Sequence, residues 1–110
     1  MIFLQTILCV DDYGGNFAEK VQKVTLPTVV MFYTPWCPHY QKFQQTWEKL
    51  QMDKVIFAQV NCVENRDICQ EENIKDYPTL RLYKDGQFQA KYKGQRNPEL
   101  IYQWLTAKLR

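Results

Sequence analysis

The chain has 110 residues, of which 45% are hydrophobic and 24% charged, and this composition excludes a disordered, fibrous or repetitive protein. The length is enough for one hydrophobic core, so we expect a single domain over residues 1–110. The net charge is only +2, with basic and acidic residues mixed along the chain, so neither nucleic acid nor a membrane surface is an expected partner.

Three strands and three helices are predicted to alternate along the first two thirds of the chain. The strands are expected at residues 6–10, 28–33 and 55–60. The helices are expected at residues 17–24, directly after residues 34–39, and at residues 65–73. The segment 28–33 is continuously apolar, which is typical of a strand that is buried on both faces.

The last third of the chain is predicted to form a β-hairpin followed by a helix. Residues 79–83 and 88–92 are expected to be strands joined by a turn at 84–87. Asn97 and Pro98 are residue types that cap and begin a helix. The resulting order, β-α-β-α-β-α-β-β-α, predicts a three-layer α/β domain in which helices flank a central mixed sheet.

Cys37 is the first candidate for chemistry, because it lies where the buried strand 28–33 gives way to a helix. The positive end of that helix stabilises an anion and so favours a thiolate. Pro38 suits the first helical position, Trp36 shields the approach to the sulfur, and His39 can carry a positive charge near neutral pH. These neighbours favour a reactive thiol, and the alternative is an inert one. A zinc site at Cys37 and His39 is not expected, since residues two apart diverge on a helix.

Two motifs resemble the active-site region of thioredoxin-like domains of the protein disulfide isomerase family. They read Phe-Tyr-Thr-Pro-Trp-Cys-Pro-His-Tyr at 32–40 and Tyr-Pro-Thr-Leu at 77–80. The resemblance covers nearly the whole chain and implies a thioredoxin fold. It also implies that Pro78 is a cis-proline facing Cys37. The residues it assigns to client peptide binding are Trp36, Tyr40, Tyr77 and Pro78.

The chain departs from the pattern of this family at three positions. The second cysteine of the Cys-X-X-Cys motif is replaced by Tyr40, so the site cannot close a disulfide within the motif. Met31 and Gln59 stand where the family has a buried glutamate and the lysine that pairs with it. Because these losses agree with one another, they favour a naturally specialised domain over an engineered exchange of the second cysteine alone. In contrast, Arg96 matches an arginine that approaches the active-site sulfur in the family. The resemblance therefore implies that Arg96 can stabilise a thiolate at Cys37.

Two further cysteines, Cys62 and Cys69, match a second, structural cysteine pair found in several isomerase domains of the endoplasmic reticulum. The resemblance therefore implies a disulfide between them and an oxidising compartment. The alternative is a pair of buried free thiols. Cys9 has no partner in the pattern and is interpreted as a small buried apolar residue, with an intermolecular bond as the alternative.

The leading hypothesis is a single-thiol isomerase-like domain that captures unfolded or cysteine-containing client proteins as mixed disulfides through Cys37. His39 and Arg96 would assist that thiol, and client thiols, glutathione or other isomerase domains would release the product. The expected location is the endoplasmic reticulum lumen or another oxidising secretory compartment. No cofactor or metal is predicted.

A second hypothesis is a redox-inactive module that binds extended peptide at Pro78, Trp36 and Tyr40 without covalent capture. Replacing Cys37 by serine would separate the two hypotheses. A third is that the 110 residues are one domain of a longer multidomain isomerase or chaperone.

Overall fold

The computed structural model describes residues 10–110, in which five strands and four helices follow the predicted order. The strands are β1 (Val10–Asp12), β2 (Thr28–Tyr33), β3 (Ile56–Asn61), β4 (Thr79–Lys84) and β5 (Gln87–Lys91). The helices are α1 (Phe17–Lys23), α2 (Pro38–Glu48), α3 (Arg66–Glu71) and α4 (Pro98–Lys108). Within residues 10–110, none of the helices has the length and apolar character that crossing a membrane requires.

All five strands form one mixed sheet in the spatial order β1-β3-β2-β4-β5. Strands β1 and β2 run parallel to β3, whereas β4 runs antiparallel to both β2 and β5. Strand β2 lies in the centre, and its residues Val29, Val30 and Met31 are completely buried. This explains its continuous apolar sequence, because a central strand covered by helices has no solvent-facing side.

Helices cover both faces of the sheet, so the predicted three-layer α/β architecture is confirmed. Successive side chains of β2 point to opposite faces, and Met31 and Phe32 accordingly belong to different core clusters. The cluster that contains Met31 includes the buried side chains of α2 and α4, for example Trp47 and Leu105. The cluster that contains Phe32 includes those of α1 and α3. Helices α2 and α4 therefore lie on one face of the sheet, and α1 and α3 lie on the other.

The predicted boundaries differ from the structure at several elements. Most of the strand expected at 6–10, including Cys9, lies outside the described residues, and within them β1 occupies Val10–Asp12. The third helix is shorter than the expected 65–73, because it ends at Glu71. Leu50 lies just beyond the end of α2 and is buried. The predicted hairpin is present, and its turn holds Asp85 and Gly86 at positive φ angles of 54° and 78°.

The last helix begins as its sequence predicts. The side-chain oxygen of Asn97 accepts hydrogen bonds from the backbone nitrogens of Glu99 and Leu100 at 2.9 and 3.4 Å. Pro98 occupies the first turn, where a backbone donor would have no partner within the helix. This cap fixes the position at which the chain enters α4, immediately after Arg96.

Candidate active site

Cys37 lies between β2 and α2 and is the residue that precedes the first turn of α2. Its backbone nitrogen donates to the carbonyl oxygen of Thr34 at 3.2 Å, and its own carbonyl oxygen accepts from the nitrogen of Gln41 at 3.0 Å. The side chain of Gln41 also donates to the carbonyl oxygen of Pro35 at 3.1 Å. These bonds hold the cysteine at the positive end of the helix, where the residue is 8% exposed.

The second motif packs directly against this sulfur. The Tyr77–Pro78 peptide bond is cis, and Pro78 is buried. The sulfur of Cys37 lies 3.7 Å from the carbonyl oxygen of Tyr77, to which the thiol can donate a weak hydrogen bond. The structure therefore brings together Cys37, Tyr77 and Pro78, as the resemblance implied.

A polar anchor that the sequence reasoning missed holds the segment before Pro78. The hydroxyl of Thr79 donates to the carboxylate and to the carbonyl oxygen of Asp76, both at 2.6 Å. The ammonium of Lys91, on the neighbouring strand β5, lies 3.3 Å from the same carboxylate. The hydrogen bond from Thr79 and then the charge of Lys91 lower the pKa of Asp76 below its ordinary value. An aspartate three residues before a threonine was the available sequence signal for this anchor.

Tyr40 occupies the position of the missing second cysteine and is buried. Its ring is stacked on that of Tyr33 at the end of β2, with centroids 4.3 Å apart and planes inclined by 14°. Burial, followed by the neighbouring Tyr40, raises the pKa of Tyr33 to about 12, and burial likewise raises the pKa of Tyr40. Both phenols are consequently neutral at physiological pH. Tyr40 thus places an uncharged ring without sulfur at this position, in the same core cluster as Cys37.

The two other departures from the motif are neighbours in the structure. Met31 on β2 is paired with Gln59 on β3, and Met31 is completely buried. The side-chain oxygen of Gln59 accepts a hydrogen bond of 3.2 Å from the indole nitrogen of Trp47 on α2. An apolar side chain and a neutral amide therefore stand at the two positions where the family pattern has a pair of opposite charges.

The remaining predicted site residues are Trp36, His39 and Arg96, and all three lie at the surface. Trp36 is 66% exposed, and His39 is also exposed. His39 and Arg96 line one surface depression together. Arg96 also lines a second depression, which contains Tyr77 and Pro78. The arginine therefore lies between the first turn of α2 and the cis-proline loop.

Cys62 and Cys69 form a disulfide, the pairing that the resemblance implied. It joins the end of β3 to α3, with the two Cα atoms 5.7 Å apart. The backbone nitrogen of Cys62 also donates to the carbonyl oxygen of Tyr33 at 2.8 Å, so the bridge is connected to the strand that leads to Cys37. Among residues 10–110, no group of three or more histidine, cysteine or acidic side chains is arranged to hold a metal ion.

Comparison with known proteins gives a consistent result. The thioredoxin family model matches residues 9–107. The chain is 45% identical over 99 residues to the Thioredoxin domain-containing protein 5 homolog of Drosophila melanogaster. This alignment covers 82% of this chain and 22% of that protein. It is 41% identical over 90 residues to Protein disulfide-isomerase A5 of Mus musculus, which covers 76% of this chain and 17% of the relative. The chain thus spans about a fifth of the length of these curated relatives.

A solved structure shows the same similarity in three dimensions. The crystal structure of the Trx4 domain of ERdj5 superposes with a TM-score of 0.82 and 26% sequence identity. The superposition covers 94% of this chain and 98% of that domain. The five-stranded sheet with its flanking helices is therefore shared along nearly the whole of both chains.

Proposed function

Because this chain belongs to the thioredoxin family and its relatives are protein disulfide isomerases, we propose that it performs thiol-disulfide exchange with Cys37 as its only active-site thiol. In this proposal the domain captures cysteine-containing client proteins as mixed disulfides. The observation that carries the proposal is the placement of the Cys37 sulfur 3.7 Å from the Tyr77 carbonyl, beside Pro78, with Tyr40 where a second sulfur would be.

The chemical step is an exchange with no net oxidation. The thiolate of Cys37 attacks one sulfur of a client disulfide, so that one S–S bond forms and one breaks. The other client sulfur leaves as a thiolate and takes a proton from water. A second thiol, from the client, from glutathione or from another domain, then attacks the mixed disulfide and restores Cys37.

Tyr40 gives this exchange its particular character. In a Cys-X-X-Cys site the second cysteine would attack the mixed disulfide within the same molecule, at a high effective concentration. Tyr40 supplies no nucleophile, and its raised pKa keeps its hydroxyl protonated. Release therefore depends on an external thiol, and we expect long-lived mixed disulfides. We therefore expect the domain to retain its clients or to isomerise their disulfides slowly, and not to oxidise them rapidly.

The surrounding residues have defined roles in the proposal. The cis-proline loop and the exposed ring of Trp36 would hold an extended client segment beside the sulfur. Arg96 and His39 would favour the anionic sulfur through their charge. We further propose an oxidising compartment, the lumen of the endoplasmic reticulum, and the Cys62–Cys69 disulfide supports this location.

Mass spectrometry with four forms of the chain would test the proposal. The wild type, Cys37→Ser, Tyr40→Cys and Tyr40→Ser would each be incubated with a disulfide-bonded peptide, and the adducts would be mapped. We expect an adduct on Cys37 that persists in the wild type and in Tyr40→Ser, is absent in Cys37→Ser and is short-lived in Tyr40→Cys. The two variants of Tyr40 remove the same ring, so their difference isolates the second thiol.

A non-covalent peptide-binding module is the second candidate, and the burial of the Cys37 sulfur favours it. Cys37 as a whole residue is 8% exposed, and its thiol is placed to donate to the carbonyl oxygen of Tyr77. A folded wild-type chain that binds peptide as well as Cys37→Ser does, and that forms no adduct on Cys37, would overturn thiol capture and support this module.

A further inference from the structure

Basic side chains dominate the surface around Cys37. Three surface depressions border the site. His39 lines the first of them. Tyr77, whose carbonyl oxygen faces the Cys37 sulfur, lines the other two. The lysine and arginine residues that line these depressions are Lys42, Arg66, Lys91, Lys93 and Arg96.

Asp76 is the one acidic residue among the lining residues of these three depressions. Its carboxylate already accepts a hydrogen bond from Thr79 and lies 3.3 Å from the ammonium of Lys91. The first turn of α2 contains no acidic residue and presents the positive end of the helix. The remaining positive charge at the site therefore lacks a carboxylate partner among the residues that line it.

The basic residues that line the cis-proline depression and the acidic residues near Tyr33 lie on different sides of the site. Asp12 and Glu64 are close enough to Tyr33 to raise its pKa, so acidic side chains lie on the side of β1 and β3. Lys91, Lys93 and Arg96 lie on the side of β5 and α4. A client bound at Pro78 would thus meet three basic side chains on the side of β5 and α4, and a mixture of acidic side chains and Arg66 on the side of β3.

The basic side continues into a longer groove. A fourth depression, between β5 and α4, shares Lys91, Tyr92, Lys93 and Gly94 with the depression that contains Pro78. It adds a further ammonium, from Lys108, and the apolar side chains of Leu100 and Trp104. A continuous groove with spaced charges and an apolar end fits an extended polypeptide better than a compact molecule.

We propose that the clients of Cys37 are polypeptide segments with acidic residues close to the reacting cysteine, and that these residues bind the groove from Arg96 and Lys93 to Lys108. This inference rests on the proposed function of Cys37 and adds the chemical class of its substrate. Charges of opposite sign raise the rate of encounter, and those at the surface are screened by salt.

The test measures how fast Cys37 reacts with three peptides that differ only in the residues beside one cysteine. Each cysteine is activated as a 2-pyridyl disulfide, and its neighbours are glutamate, glutamine or lysine. The thiolate of Cys37 attacks the peptide sulfur and releases pyridine-2-thione, whose absorbance reports the rate. Dividing each rate by that of N-acetylcysteine amide with the same peptide removes the intrinsic reactivity of the peptide.

At low ionic strength we expect the glutamate peptide to react about tenfold faster than the lysine peptide, with glutamine between them. Salt of about 0.5 M should reduce this difference to about twofold. The double variant Lys93→Glu and Arg96→Glu should reverse the order. Lys84→Glu is the control: Lys84 is exposed and lies at the far end of β4, about 17 Å from Thr79 beside the site. It should keep the wild-type order.

The possible failures are distinct. Equal normalised rates for the three peptides, or an order that Lys93→Glu and Arg96→Glu leave unchanged, would overturn the acidic client class while leaving single-thiol exchange intact. The absence of reaction with all three peptides in a folded chain would overturn both. A fourth peptide, with its glutamates only several positions from the cysteine, tests the far end of the groove. If it reacts no faster than the glutamine peptide, the part of the proposal that involves Lys108 is overturned.

Discussion

The indole nitrogen of Trp47 donates a hydrogen bond of 3.2 Å to the side-chain oxygen of Gln59, which is paired across the sheet with Met31. Trp47 and Met31 are completely buried. The amide of Gln59 therefore contributes to the structure at the position where the family pattern has a lysine. Its oxygen satisfies a buried donor, and no charge is required.

Exchange of Gln59 for lysine is expected to destabilise the fold by about 2 kcal/mol, because an ammonium cannot accept the hydrogen bond from Trp47. Gln59→Glu keeps an acceptor and is the matched control. Urea unfolding measures both free energies. Met31→Glu should destabilise further, and combining it with Gln59→Lys should cost less than the sum of the two single changes. Strict additivity would contradict this account of the pair.

The stacked pair Tyr33 and Tyr40 is expected to stabilise the loop that carries Cys37. Tyr40→Ala removes a buried ring and should lower the free energy of unfolding by about 3–4 kcal/mol. Tyr40→Phe retains the stacking and should cost about 1 kcal/mol or less. Urea unfolding compares the two variants. If phenylalanine were as harmful as alanine, the hydroxyl and not the ring would be the main contribution.

Removal of the Cys62–Cys69 disulfide is expected to lower stability by about 2.5 kcal/mol, the loop-closure entropy of a segment of this length. The double variant Cys62→Ala and Cys69→Ala avoids leaving a single thiol. A reducing agent should destabilise the wild type by a similar amount and leave the double variant unchanged. If the reducing agent also lowered the free energy of unfolding of the double variant, its effect on the wild type could not be assigned to the Cys62–Cys69 bridge.

Asp76 is expected to make the stability depend on pH in the acidic range. Its pKa is lower in the folded chain than its ordinary value of 3.8, so its stabilising contribution is complete above that value. The contribution is lost as the pH falls through the lowered pKa, because the folded state must then take up the proton. Urea unfolding would be measured at about pH 6 and at about pH 3. Between these two values the free energy of unfolding should fall less in Asp76→Asn than in the wild type. Thr79→Val, which removes the largest cause of the shift, should be intermediate, and equal losses in all three would argue against this anchor.

Local patterns were sufficient to predict most of the architecture. The uninterrupted apolar run of β2 identified the centre of the sheet, and Asn97 with Pro98 located the start of α4. Both signals depend on neighbours in the sequence, which is why they can be interpreted without coordinates. The end of α3 was placed two residues too late, since Asn73 has a positive φ of 59° that a helix cannot include.

The interior of the site depends on contacts between distant residues, and these were less accessible. The resemblance placed Cys37 beside Pro78, but it gave no indication that Tyr40 stacks on Tyr33 or that Thr79 binds Asp76. The basic groove is only partly visible in the sequence: Lys91, Lys93 and Arg96 follow one another with no acidic residue between them, but nothing in the sequence connects them with Lys108 or with the cis-proline loop. They become one surface only when β5, α4 and the cis-proline loop come together.

The exposure of Trp36 has a practical consequence for optical measurements. The chain has three tryptophans, and while Trp36 is 66% exposed beside Cys37, Trp47 is completely buried. Trp104 is half-buried against the ring of Tyr92. A small collisional quencher such as acrylamide will therefore reach Trp36 most readily. The chain contains its own fluorescent reporter, through which occupation of the site can be followed without a label.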